Sequence, residues 1–385
     1  MENQSMNPQQ IQQQNFLQRQ AVISNSLKMK QEIFSKSVNP ASENVINVGS
    51  GAIRNSGLLL GFIVEIEASV TVDAVDPVNR TPYGTSTLVS EIKFDDLSNN
   101  TRIQVPGWYL SFLNTVRQGF GYGGAYQPNL PMGYGANYNV FAGGATVAAA
   151  ATEELRHVYY VPISYSSTDL RGSIYMSTVA ATSNLQITLN KTPVQTAGNP
   201  MECAYVGNGG DYSGNVLVKV TQVYLSQIPT DQNGNPILPY MDLSTTYDLK
   251  QTTYSGLSAS QDFPMAYSNY RSFLSTTVVF DNAGVLNDGT DVNYFALRSA
   301  SMTNISKVSP AIAALDARAT LMSDPPSGTY LFESRDIPIN TVNYGNQELI
   351  INPSSVGGST SRMLVGYESF ALTQQVANAS SLGGG

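Results

Sequence analysis

The chain has 385 residues, 42% hydrophobic and only 12% charged; it is longer than the ~250–300 residues one core usually serves, which predicts two domains. Lys and Arg total 20 against 28 Asp and Glu, a net charge of −8, which argues against direct nucleic-acid contact because phosphate-backbone affinity comes from neutralising charge. A single cysteine (Cys203) and a single histidine (His157) exclude an internal disulfide framework and a zinc site built from several His and Cys, and fit folding in a reducing compartment.

In chain order, the first segment differs from the rest. Met1–Gln14 is Gln-rich and does not read as a signal peptide. Met1–Lys36 holds Arg19, Lys28, Lys30 and Lys36 against Glu2 and Glu32, a local surplus of two positive charges in an acidic chain. Phe16, Ile23, Leu27 and Phe34 are spaced seven, four and seven apart, which at about 100° per residue places them on one helical stripe. Asn7-Pro8 offers a helix start and Asn39-Pro40 a stop. Such a helix either packs on its own domain or acts as an arm that docks on a neighbour or a membrane surface.

From Gly57 onward the pattern is that of strands. Leu58–Val72 opens on an apolar run and continues as the alternation Val64, Ile66, Ala68, Val70, Val72, the signature of a half-buried strand. No apolar run reaches the ~18 residues of a membrane helix. Further strands are expected over Thr87–Phe94, Arg156–Tyr165, Ser173–Val179, Leu185–Leu189 and Val216–Leu225, with a helix over Trp108–Gln118 closed by Gly119. Ile228–Tyr240 is dense in Pro, Asn and Gly and reads as a linker. The second half repeats the order of the first: a β-branched run at Phe273–Phe280, a helix over Ala311–Met322, and Thr329–Ile337 ending at Pro338 as His157–Val161 ends at Pro162. Asn346–Asn352 then mirrors Asn184–Asn190, and a last strand over Met363–Gln374 mirrors Val216–Gln227. The common order indicates an internal duplication, and two β domains with one helix each point to paired sandwiches or jelly rolls.

No catalytic set emerges. His157 sits in an apolar run and reads as a strand residue. Gly119-Phe-Gly-Tyr-Gly-Gly124 matches G-x-G-x-x-G formally, but a dinucleotide site needs a strand before it and a helix after it. Here a helix precedes and Ala125–Pro131 follows, so no cofactor is expected. The match comes from a Gly- and Tyr-rich loop, Gly119–Ala145, whose Tyr122, Tyr126, Tyr134 and Tyr138 form a candidate exposed surface. The Asp and Asn residues between Asp281 and Asp291 lack calcium-loop spacing and suit hairpin turns, so no metal is expected. Asp95-Asp96 and Glu153-Glu154 are adjacent in sequence, so on a strand each pair points to opposite faces and is not preset for acid–base work.

Several segments resemble a known family. Gly107-Trp-Tyr-Leu-Ser-Phe-Leu-Asn-Thr-Val-Arg-Gln-Gly119, Val161-Pro-Ile-Ser-Tyr-Ser-Ser-Thr-Asp-Leu-Arg-Gly172 and Ile237-Leu-Pro-Tyr-Met-Asp-Leu-Ser-Thr-Thr-Tyr-Asp-Leu249 are similar to the tectivirus double jelly-roll major capsid proteins. So are Phe273-Leu-Ser-Thr-Thr-Val-Val-Phe-Asp-Asn282, Gly289-Thr-Asp-Val-Asn-Tyr294 and Met363-Leu-Val-Gly-Tyr-Glu-Ser-Phe370. The likeness runs in order from about Gly57 to Phe370 and is weaker over Met1–Lys36. It implies an all-β fold of two eight-stranded jelly rolls with short flanking helices and an N-terminal helical arm. The expected division is an arm over 1–44, a first jelly roll over 45–228, a linker over 229–242, a second jelly roll over 243–376 and a tail over 377–385.

The resemblance also implies a protein that is not an enzyme, a homotrimeric capsomer of hexagonal outline, and an icosahedral shell assembled in the host cytoplasm. That shell belongs to a tailless double-stranded DNA bacteriophage with an internal membrane. The expected partners are further copies of the chain, other capsid and vertex proteins, and the membrane through the arm, with no direct nucleic acid. Arg19, Lys28 and Lys30 are the candidate contacts to anionic headgroups, and Phe16, Ile23, Leu27 and Phe34 the residues that bury against lipid or a neighbouring capsomer. The rival reading is a jelly-roll receptor- or glycan-binding viral spike module that uses the four loop tyrosines.

Overall fold

The computed structural model of the chain describes residues 7–49, 51–53, 57–117, 146–176, 183–196, 201–256, 261–264, 271–282, 285–286, 292–299, 302–321, 326, 328–336, 338–341, 347–353 and 361–371. Helix α1 (Pro8–Asn25) starts where Asn7-Pro8 predicts. Asn7 Oδ1 accepts from Gln10 N at 2.9 Å and Gln10 Oε1 accepts from Asn7 N at 3.0 Å, so two otherwise unpaired amides are capped reciprocally.

Among the described residues, the first half is carried by β1 (Leu27–Val38), β2 (Val45–Val48), β3 (Leu58–Val72), β4 (Val89–Asp95), β5 (Thr101–Val105), β6 (Thr152–Pro162), β7 (Asn184–Leu189) and β8 (Val216–Ser226), with α2 (Gly107–Val116) between β5 and β6. After α3 (Tyr240–Ser244) the second half has β9 (Thr246–Ser255), β10 (Gln261–Pro264), β11 (Arg271–Asn282), β12 (Val292–Ser299), β13 (Met302–Val308), β14 (Thr329–Glu333), β15 (Gln347–Pro353) and β16 (Ser361–Ala371), with α4 (Pro310–Leu321) between β13 and β14. The first half forms antiparallel sheets β1-β8-β3-β6 and β2-β7-β4-β5. The second repeats them as β9-β16-β11-β14 and β10-β15-β12-β13. Eight strands in that order make a jelly roll, so the fold is a double jelly roll.

Alternation in β3 explains the first core. Val64, Ile66, Ala68, Val70 and Val72 are buried while Ile63, Glu65, Glu67, Ser69 and Thr71 alternate with them on the outer face. The buried set packs against Phe94, Ile92, Ile187 and Leu185 of the opposite sheet. A second cluster, including Phe280, Phe295, Leu297 and Tyr330, fills the other jelly roll.

The two halves carry the same irregularity. Leu60 is an extra residue in β3, between Gly61 opposite Val223 and Leu59 opposite Tyr224. Leu274 is the extra residue in β11, between Ser275 opposite Glu368 and Phe273 opposite Ser369. Each bulge carbonyl accepts from the chain leaving the neighbouring strand, Ile163 N at 2.9 Å and Ser334 N at 2.8 Å. A bulge of this kind bends the strand and fixes register. It also corrects two sequence parallels. The bulges place Glu333, rather than Pro338, in the position of Pro162. Matching bulges at Ser90 and Asn293 align Leu185 with Leu349, a two-residue shift that keeps the same face.

A larger correction concerns the N-terminus. The helical stripe through Phe16, Ile23, Leu27 and Phe34 does not exist, because α1 ends at Asn25 and Leu27 and Phe34 lie on β1. Leu27-Lys-Met-Lys-Gln-Glu-Ile-Phe supplies β-compatible residues, and β1 pairs with β8 from Leu27 opposite Ser226 to Val38 opposite Val216. A ladder along the whole strand outweighs helix continuation past Ser26.

The jelly rolls join edge to edge: β5 and β9 run parallel, Ile103 opposite Leu249 and Gln104 opposite Lys250. Lys250 Nζ donates to Thr101 O at 2.7 Å across the join. One sheet therefore continues from the first jelly roll into the second. Helix α2 lies over this seam, with Phe112 and Val116 packed on Ala317 of α4 and Leu331 of β14. Gly366 in β16 makes room for it: a Cβ there would stand 2.3 Å from Tyr109 Cε2. Gly366→Ala is expected to destabilise the chain by about 1–3 kcal/mol through overpacking, read as a lower urea midpoint, and an unchanged midpoint would show that the seam yields freely.

Candidate assembly interface

The seam holds a buried ion cluster. Arg117, which ends α2, is held between Glu368 of β16 and Glu333 of β14. Its Nε lies 3.2 and 3.1 Å from the two Glu368 oxygens, its Nη2 also donates to Glu368, and its Nη1 donates to Glu333 Oε2 at 2.7 Å. Tyr247 Oη donates to Glu368 Oε1 and Ser275 Oγ to Oε2 at 2.9 Å, so the fully buried carboxylate is saturated. Burial alone would raise the Glu368 pKa, but Arg117, with the Tyr247 and Ser275 hydroxyls, holds it below the ordinary glutamate value of 4.5. Beside this cluster Tyr165 packs edge-on against Tyr247 and Phe370, centroids 5.8 and 5.4 Å apart, and the Arg171 guanidinium lies 4.2 Å over the Phe370 ring.

His157 lies on β6, as its apolar run predicts, and is fully buried. Its Nδ1 is 2.9 Å from Thr85 Oγ1 and its Nε2 2.7 Å from Ser111 Oγ, so two rotatable hydroxyls satisfy the neutral ring in either tautomer. These bonds tie β6 to α2 and to the turn Gly84–Leu88. Burial pushes its pKa down to about 3. Cys203 is buried too, its thiol pushed up to about 12 by burial and then by Glu202.

The helical arm is anchored on the connector between the jelly rolls. Asn15 Nδ2 donates to Asp242 Oδ1 at 3.0 Å while its Oδ1 accepts from Met241 N at 3.0 Å. Arg19 donates to both Asp242 oxygens, at 2.5 and 2.6 Å. Val22 is buried among Leu58, Leu60, Tyr160, Leu225 and Leu238, with Ile23 at the margin. Arg19 and Ile23 are thus turned to the chain's own body. Phe16 is exposed on α1, next to exposed Leu17, and Ile11 is exposed earlier on the same helix. Leu27, Lys28 and Lys30 are exposed on β1, and Phe34 is half-buried against the first core. The seven residues are therefore divided between two elements instead of sharing one face.

Tyr122, Tyr126, Tyr134 and Tyr138 lie outside the described residues. Asp281, a calcium-loop candidate, is buried and paired with Arg362. The adjacent carboxylates are spent separately: Asp95 on Lys93, Asp96 on Arg102 at 2.8 Å, Glu153 on Arg80. Among the described residues no group of three His, Cys, Asp or Glu could hold a metal ion, and no helix is long and apolar enough to cross a membrane. No local sequence pattern predicts the seam, although a lone Glu inside the apolar run Met363–Phe370 is a signal, since carboxylates are rarely buried unpaired.

Comparison with known proteins bears on what such a body is for. Residues 2–228 match the family model for the P3 major capsid protein N-terminal region, and residues 244–384 that for its C-terminal region. The major capsid protein P3 of Enterobacteria phage PRD1 is 35% identical over 375 residues, covering 96% of this chain and 93% of that protein. A chain from the atomic structure of Sulfolobus Turreted Icosahedral Virus matches with a TM-score of 0.61 at 14% identity, covering 92% of this chain and 96% of that one. The major capsid protein P2 from Bacteriophage PM2 matches with a TM-score of 0.50 at 8% identity, covering 91% and 99%.

The buried histidine sets a pH dependence. With a folded pKa near 3 against an ordinary 6.5, its contribution is complete above pH 6.5 and is lost as pH falls, because the unfolded chain binds a proton that the folded one refuses. Glu368, also depressed, adds a further loss below its ordinary 4.5. His157→Gln is expected to flatten the unfolding free energy between pH 6.5 and 4.5, measured by denaturant titration. A slope equal to that of the parent chain would refute the assignment.

Proposed function

The chain belongs to the P3 major capsid protein family, and from that premise we propose that three copies form a capsomer of hexagonal outline, the building block of an icosahedral shell around an internal membrane. Its place is the virion capsid, and its role is structural. The observation that carries the three-copy reading is the doubled strand order: two jelly rolls of identical topology, joined edge to edge, give six similar units in three chains. Contacts that are modest singly are multiplied across a closed shell. The rival spike reading gives way to family membership.

Assembly in the host cytoplasm of a tailless double-stranded DNA phage, with vertex and other capsid proteins as neighbours, belongs to the same proposal. So does the membrane contact, on a reduced set of residues. Arg19 is committed to Asp242, which leaves the exposed apolar side chains Ile11, Phe16 and Leu17 of α1 and positive charge at Lys28. An amphipathic contact needs both, apolar area for the acyl boundary and cations for anionic headgroups. The acidic remainder of the chain need not meet DNA if lipid intervenes.

Light scattering on the purified chain at neutral pH is expected to give three times the 41.4 kDa chain mass, stable to dilution, and a monomer would overturn the capsomer. Flotation with phosphatidylglycerol vesicles is expected to carry the protein up, and Phe16→Glu combined with Leu17→Glu to lower the floated fraction several-fold. Equal flotation of the two proteins would remove α1 from the membrane contact.

A further inference from the structure

The seam inside the chain joins the last strand of one sheet, β5, to the first strand of another, β9. In the repeated topology the counterpart of β5 is β13 and the counterpart of β9 is β1. Both are outer strands: among the described residues β1 pairs only with β8, and β13 only with β12. Each chain therefore carries one closed seam and the two separate halves of another. A 12-residue outer strand with Leu27 and Met29 exposed is a template for pairing unless something covers it.

The bulges supply the register. Leu60 and Leu274 make Val223 the counterpart of Glu368. Lys30 is opposite Val223 and Leu249 opposite Glu368, so Lys30 corresponds to Leu249 and Gln31 to Lys250. Ser90 and Asn293 make Ile92 the counterpart of Phe295, opposite Val105 and Val308 respectively. Gln104 then corresponds to Lys307 and Ile103 to Ser306. Within the chain, Leu249 faces Ile103 and Lys250 faces Gln104.

We infer that β1 of one copy pairs in parallel with β13 of a second copy of this chain, Lys30 opposite Ser306 of the partner subunit and Gln31 opposite Lys307 of the partner subunit. The contact repeats between chains what the seam does within one. It is heterologous, a different surface on each side, so it propagates in one rotational sense, building a ring where the rotation closes and a filament where it does not. Three copies hold six such seams, which close the ring when each turns the chain by roughly 60°; the inference rests on the three-copy reading above and adds the surface and its register. Parallel neighbours lie about 4.8 Å apart, within the Cα range a disulfide spans.

Cysteine cross-linking tests this directly. The variant carrying Gln31→Cys and Lys307→Cys, mildly oxidised, is expected to run at two and three chain masses on a non-reducing denaturing gel. Either single substitution should run at one. The equivalent pair within the chain, Gln104→Cys with Lys250→Cys, serves as control and should close without a mass change, detected as loss of free thiol. Cys203 is buried and does not compete. The pair Lys30→Cys and Ser306→Cys repeats the test one residue along, should the first variant fold poorly. If light scattering gives three chains, the control closes and neither inter-chain pair links, the β1–β13 interface is overturned and the capsomer stands. A monomeric parent chain overturns both.

Discussion

The arrangement of the two jelly rolls hangs on one buried carboxylate. Glu368 sits fully enclosed in the middle of β16, where an isolated charge is not tolerated. Its countercharge, Arg117, comes from the other jelly roll, at the end of α2. Leaving one member of such a pair unpartnered costs about 3–5 kcal/mol, a large fraction of the ~5–15 kcal/mol by which a domain is stable. Any rotation of one jelly roll against the other that separates the pair meets that cost. The hydroxyls of Tyr247 and Ser275 raise the stake, because they too are aimed at the carboxylate. The parallel join of β5 and β9 contributes only two opposed residue pairs, so it gives the sheet continuity while the ion cluster and Gly366 under Tyr109 fix the angle.

How far the sequence reveals this depends on how strongly each position is read by its neighbours. β3 was legible to the residue, because its alternation faces a core on one side and solvent on the other. Helix α2 was legible from the Pro-Gly entry and its compact apolar composition. β1 was not, since Leu27 and Met29 are as exposed as Lys28 and Lys30, so no buried face imposes a period of two. The spacing of Phe16, Ile23, Leu27 and Phe34 then imitates a helix. The seam escaped because its partners are separated by 251 residues in the case of Arg117 and Glu368, and no local pattern encodes a long-range ion pair. Arg19 escaped for the same reason, with Asp242 lying 223 residues away.

The duplication was legible in outline and not in register. Order of elements survives divergence, since helix and strand types follow from composition. Residue-by-residue correspondence does not, because Pro162 and Pro338 each end a strand-like run yet occupy different structural positions. The extra residues Leu60 and Leu274 are the dependable marks. Their carbonyls are taken by the chain returning from β6 and β14, so deleting either residue would strand a backbone bond and slip the register of the sheet's central pair.

Charge along the first segment follows from the same geometry. The 36 N-terminal residues hold the chain's cationic surplus, and Asp242 neutralises Arg19 inside the body while Glu43 pairs with Lys36 on the surface. Lys28 and Lys30 therefore stand on an outer strand that belongs to an otherwise acidic protein, close enough that burial and then Lys30 hold the Lys28 ammonium below its ordinary value. Such an edge repels its own copy, lysine against lysine, and so disfavours the symmetric pairing of two β1 strands that exposed Leu27 and Met29 would otherwise invite. The β13 edge carries a single cation, Lys307, whereas β1 carries Lys28, Lys30 and Lys36 against Glu32 alone, so pairing β1 with β13 sets fewer like charges against one another than pairing β1 with itself. Like charge along the edge thus selects against the closed dimer and leaves head-to-tail contact, the geometry a ring and a shell require.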